Sequence, residues 1–84
     1  MQIVRKSVTF GHREQQVTVV HSLGEEFVIV QLYRRESNDW VGELGVMVRV
    51  IDENTIILRL NNATYGTVGA KDPDAYEWHV VVVG

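Results

Sequence analysis

No apolar run in this 84-residue chain continues for long before a glycine or a cluster of Asn, Asp and Ser interrupts it. The runs are built from β-branched residues: sixteen Val, five Ile and five Thr, against three Ala. Branching at Cβ stiffens the side chain, disfavours helix and suits a pleated, half-buried surface. Turn signals recur at roughly 8–12-residue spacing, the pattern of an all-β sandwich or barrel.

Reading along the chain gives the segments. Residues 3–10 form the first expected strand, with Val4, Val8 and Phe10 on one parity. Gly11-His12-Arg13-Glu14 is polar and reads as a hairpin loop. Residues 16–21 follow, then residues 27–33, which are apolar on both parities and so predict a strand covered on both faces. Residues 34–39 read as a polar turn, and Trp40 to Glu43 leads into a strand over 44–51. Asp52-Glu53-Asn54 is a short turn. Residues 55–60 alternate clearly, Ile56, Leu58 and Leu60 against Ile57 and Arg59. The stretch 61–75 is irregular, and residues 76–83 close the chain. The expectation is one domain over residues 1–84, a small antiparallel β-sandwich of about six strands.

A domain this short exposes about 40% of the surface of its unfolded chain, so its core is thin. Disulfides, a metal or a partner subunit commonly supplement such cores. The absence of cysteine excludes disulfides and thiolate-bound zinc. A net charge of -3 gives no electrostatic reason to expect nucleic acid or an anionic membrane. The N-terminus lacks the pattern of a signal peptide, and no apolar run approaches the ~20 residues of a membrane helix.

One joint stands out. In "VVHSLGEEFVIVQLY", residues 19–33, a histidine and a glycine separate two apolar runs. Gly24 suits a sharp corner because it reaches backbone angles that other residues enter at a cost. Leu23 can close the end of the core. His21 can satisfy a backbone group left open where the ladder stops. These three residues are the expected structural corner.

The stretch Val17 to Gly24 resembles a strand-His-Asn-Leu-Gly corner of small β domains in tailed-bacteriophage virion proteins. Three more blocks follow in the order and approximate spacing of that module: Phe27 to Tyr33, Asp52 to Leu58, and Val80 to Val83 before Gly84. Position 22 is Ser where the pattern usually has Asn, and the stretch 61–75 is longer than the pattern suggests. The resemblance implies a virion setting after synthesis in the host cytoplasm. Such modules occur at fibre tips, on tail components and as accessory head proteins. The initial Met1 favours a stand-alone head protein over a fragment of a fibre.

Sharper chemistries find less support. His12, His21 and His79 lie in separate segments without ligand spacing, so no metal and no cofactor is expected. Asp72-Pro73-Asp74 is similar to calcium ligands in composition, but lacks the length and glycine of a calcium loop and reads as a solvated turn. Neighbouring residues on a strand point to opposite faces, so neither Glu25-Glu26 nor His21-Ser22 forms a catalytic pair. No enzyme is expected. The aromatics offer more: Trp40 and Tyr65 are candidates for recognition, whereas Trp78 is expected to pack.

The closing strand adds a partner expectation. Val80 to Val83 is apolar on both parities, and no helix is expected to cover its second face. Val81 and Val83 are therefore candidate contacts, either within a homo-oligomer, a trimer being the favoured form, or with the major capsid or tail proteins of a virion. The function expected is a non-enzymatic capsid decoration or cement protein. The alternatives are a tail or fibre-tip component, or a carbohydrate-binding module for a host glycan.

Overall fold

The structure, a computed structural model, describes residues 1–12, 14–60 and 72–84. Its strands are β1 (Ile3–Val8), β2 (Gln16–Val20), β3 (Ile29–Glu36), β4 (Asp39–Glu43), β5 (Val46–Asp52), β6 (Thr55–Leu60) and β7 (Trp78–Val83). They form two antiparallel sheets, one ordered β1-β7-β3-β4 and one β2-β6-β5. The chain is a small antiparallel β-sandwich.

Side-chain alternation builds the core. Every second residue of β6 and β7 is buried: Ile56, Leu58 and Leu60 from one sheet, Trp78, Val80 and Val82 from the other. Leu32, Val19 and Phe10 complete the buried cluster. The Phe10 ring meets Trp78 edge-on, with centroids 5.0 Å apart. The Trp78 indole donates to the Pro73 carbonyl at 2.7 Å, so the one polar atom of this buried ring is paired.

Several segment expectations need correction. Residues 11–14 do not make a hairpin, because β1 and β2 belong to different sheets and the segment crosses between them. The described residues hold seven strands, because Leu44-Gly45 separates β4 from β5 and the two lie in different sheets. The expected turn over 34–39 is shorter: β3 runs to Glu36 and pairs with Asp39 across Ser37-Asn38. Nor is β3 covered on both faces, since Ile29 is 73% exposed. Its apolar second parity lies on the open face of the sheet. The closing strand is central, flanked by β1 and β3.

Arg34 carries the largest surprise in packing. It lies on the parity of β3 that faces the core, opposite Trp78 on β7 and Val41 on β4. Its guanidinium meets the Glu43 carboxylate at 2.7 Å, and Glu43 is only 6% exposed. The second Glu43 oxygen accepts the Gly45 backbone N–H at 2.9 Å. The Tyr76 ring lies 5.4 Å from the guanidinium carbon. The basic pair Arg34-Arg35 thus contributes one partly buried residue and one exposed residue. The buried pair is satisfied on both sides, as a charge removed from water requires.

Candidate functional site

The His21 corner sits where β2 ends. His21 is 3% exposed, and its Nδ1 accepts the Leu23 backbone N–H at 3.1 Å. That bond places the ring proton of a neutral imidazole on Nε2, which is buried without a partner among the described residues. Leu23 packs against the core. Two residues at the corner have left-handed backbone angles, Ser22 at φ 57° and Gly24 at φ 65°.

Asn54 holds this corner, and nothing in the local pattern of its turn signalled that role. Its backbone carbonyl accepts from His21 N–H at 2.8 Å and Ser22 N–H at 3.2 Å. Its side-chain oxygen accepts from Gly24 N–H at 2.9 Å. Glu25 N–H donates to the Glu53 carbonyl at 2.7 Å. The Asp52 carboxylate in turn accepts the Asn54 N–H at 2.8 Å and fixes the turn. The last glycine reaches the same place, since a Cβ on Gly84 would lie 3.1 Å from Leu23 Cδ1. Ile29 pairs with Val83 beside it. All four blocks that carry the resemblance therefore meet at one end of the sandwich.

The outer face of the four-stranded sheet gathers three of the four interface candidates. Across β1, β7 and β3 its rows read Ile3-Val83-Ile29, Arg5-Val81-Gln31 and Ser7-His79-Tyr33. Val81, Val83 and His79 are half-buried between their neighbours, whereas Ile3 and Ile29 are exposed. Trp40 extends the face on β4, opposite Arg35. Its ring is 49% exposed, edge-on to His79 at 6.2 Å, with the Arg35 guanidinium carbon 5.8 Å from its centroid. A shallow cleft of about 610 Å³ adjoins it, lined by Arg35, Glu36, Ser37, Ala75, Tyr76 and Glu77. Tyr65, the fourth candidate, lies outside the described residues, as does the stretch 61–71. Ile3 and Ile29 went unselected on sequence grounds, although the double-parity apolarity of residues 27–33 carried the signal for Ile29.

Trp78 is not part of this face; it is buried in the core. The three histidines are dispersed. His79 lies on the outer face, His21 in the corner, and His12 at the crossover from β1 to β2, where its Nδ1 is 3.0 Å from Asp74 Oδ2. Among the described residues no helix is long and apolar enough to cross a membrane.

No protein-family model matches the chain, and no curated protein or solved structure matches it significantly.

Proposed function

We propose that this protein is a structural component of a tailed-phage particle, most simply a head decoration or cement protein, that docks through the outer face of its four-stranded sheet. The observation that carries the reading is the run of Ile3, Val83 and Ile29 across that face, with Val81 one row further in and Trp40 on the adjoining strand. Apolar residues grouped on one sheet face mark an interaction surface rather than a solvated one. The face spans roughly 20 by 20 Å from strand spacing and rise, so one such contact is modest in size. A thin-core domain also gains stability from association, because a partner that binds only the folded form favours folding. The resemblance supports the setting, and its four blocks are the segments that come together at one end of the sandwich. A homo-oligomer bound to capsid or tail proteins fits both supports, with the trimer as the favoured form.

The test uses Val81→Lys and Val83→Lys, which place a charge on the docking face, and Val20→Lys, on the outer face of the other sheet. The first two are expected to abolish self-association in sedimentation and binding to assembled particles, with Val20→Lys unaffected. A monomer that binds no particle, or particle binding indifferent to all three changes, refutes the reading. A tail or fibre-tip position is distinguished by where particle reconstruction finds the protein.

Glycan recognition is the second reading, and Trp40 favours it. A half-exposed indole beside a polar cleft offers a stacking surface for a sugar ring with hydrogen-bonding groups nearby. Glycan binding that is lost in Trp40→Ala, without loss of particle binding, supports this reading.

A further inference from the structure

The crossover between the sheets brings together two groups that are 60 residues apart and uninformative alone. His12 Nδ1, a carboxylate oxygen of Asp72 and a carboxylate oxygen of Asp74 all lie within 4.8 Å of one another. We propose that these three side chains bind a divalent transition cation, with zinc as the best match, that staples the β1–β2 crossover to the segment entering β7.

The donor chemistry selects the ion. One imidazole and two carboxylates suit zinc, with bonds of about 2.0–2.2 Å and water in the remaining position. Calcium prefers six to eight oxygens, which this cluster does not supply. Donors on a tetrahedral zinc stand roughly 3.3 Å apart for bonds of that length. His12 and Asp74 already stand at 3.0 Å, and the metal takes the place of the proton between them. The His12 side chain is 71% exposed, so its ring can turn to complete the geometry.

The two backbones that carry the donors are anchored, so the cluster does not depend on two mobile surface loops. Phe10, two residues before His12, is buried against Trp78. The Glu14 N–H donates to the Gly11 carbonyl at 2.9 Å and closes a turn around His12. On the other side, Pro73 between the two aspartates is buried, and its carbonyl accepts from the Trp78 indole at 2.7 Å. Asp72 precedes the short 3-10 turn, yet its side chain caps none of that turn's N–H groups. An aspartate there ordinarily caps. Two carboxylates held close repel each other, and a cation between them removes that repulsion.

The experiment titrates zinc into the chelator-treated full chain by calorimetry and follows thermal unfolding. The wild type is expected to bind one zinc, at least tenfold more tightly than calcium. At zinc about tenfold above Kd, unfolding should rise by roughly 5 °C or more. His12→Ala and Asp72→Asn should each weaken binding at least tenfold and remove the thermal shift. Both positions lie outside the buried core, so circular dichroism should show the variants folded. His79→Ala should bind zinc like the wild type. Zinc affinity unchanged by His12→Ala, equal loss in His79→Ala, or no saturable binding by the wild type overturns the proposal.

Discussion

The corner contains two left-handed residues that should respond to substitution with opposite signs. Gly24 has φ 65°, and a Cβ added there would meet nothing within 4 Å. Gly24→Ala therefore carries no steric term from its surroundings. Its cost is the left-handed backbone alone, about 1–2 kcal/mol for an L-residue. A domain of this size loses roughly 4–8 °C in Tm per kcal/mol, so Gly24→Ala should melt about 4–16 °C lower. Gly24→Val should be worse, because a β-branched residue is a genuine outlier at positive φ. Ser22, at φ 57°, already bears part of that cost. Asn is several-fold enriched at positive φ, so Ser22→Asn should stabilise by about 0.5–1 kcal/mol. The control is Gly42→Ala, whose φ is not positive. Its Cβ would meet only Gln31 Nε2, the far end of a flexible side chain, at 3.1 Å. Thermal and urea unfolding followed by circular dichroism give the ranking. Equal Tm for Gly24→Ala and Gly42→Ala, or a lower Tm for Ser22→Asn, would show that the corner geometry is wrong.

Three other perturbations probe different parts of the molecule. His21→Ala leaves the Leu23 N–H without its acceptor and should cost about 1–3 kcal/mol; urea unfolding should give the same loss with and without EDTA, since His21 follows the end of β2 whereas His12 precedes its start. Glu43→Leu removes one of the two carboxylates on the Arg34 guanidinium, Glu36 remaining at 2.8 Å, and takes the acceptor from Gly45 N–H, so it should cost about 1–3 kcal/mol, part of which Arg34→Leu with Glu43→Leu should recover in a double-mutant cycle. Trp40→Ala should leave Tm nearly unchanged, because the ring is exposed at an edge strand, while reducing self-association measured by sedimentation; a large fall in Tm would assign Trp40 to packing instead.

Much of the fold is legible because alternation is local. The parity of Ile56, Leu58 and Leu60 separates core from outside without any knowledge of partners, whereas the parity of Val46, Val48 and Val50 holds only for the first two, Val50 being exposed at the end of β5. Sheet membership is not local. The same parity arises whether a strand pairs with its neighbour in sequence or crosses to the other sheet. That is why residues 11–14 looked like a hairpin while in fact carrying the chain between sheets. Arg34 illustrates a second limit. A charged residue beside another charged residue near a turn looks solvated, and the placement of Glu43 across the β3–β4 pairing lets it be partly buried. The corner lies between these cases. His21, Leu23 and Gly24 could be singled out from their own stretch, but Asn54, which binds three of the corner's backbone N–H groups, comes from a different segment.

The same distinction explains what the apolar outer face means. Residues 27–33 are apolar on both parities, which fits a strand buried twice over, and in the folded chain one parity is instead open at Ile29. Composition registers that both faces avoid water; it does not register whether the second cover comes from this chain or another. Within the described residues no element lies over that face, so the cover that the side-chain chemistry of β3 calls for does not come from the strands of the sandwich. Val81 and Val83 sharpen the point, because β7 is central and the neighbours that half-bury them are fixed by hydrogen-bonded ladders on both sides. A surface formed by the middle of a sheet cannot twist away from solvent as an edge strand can. Its rows are also held in register by three strands, so it presents a rigid template. That rigidity reduces the ordering cost of docking, and it is why charge introduced at Val81 or Val83 should act on association more than on folding.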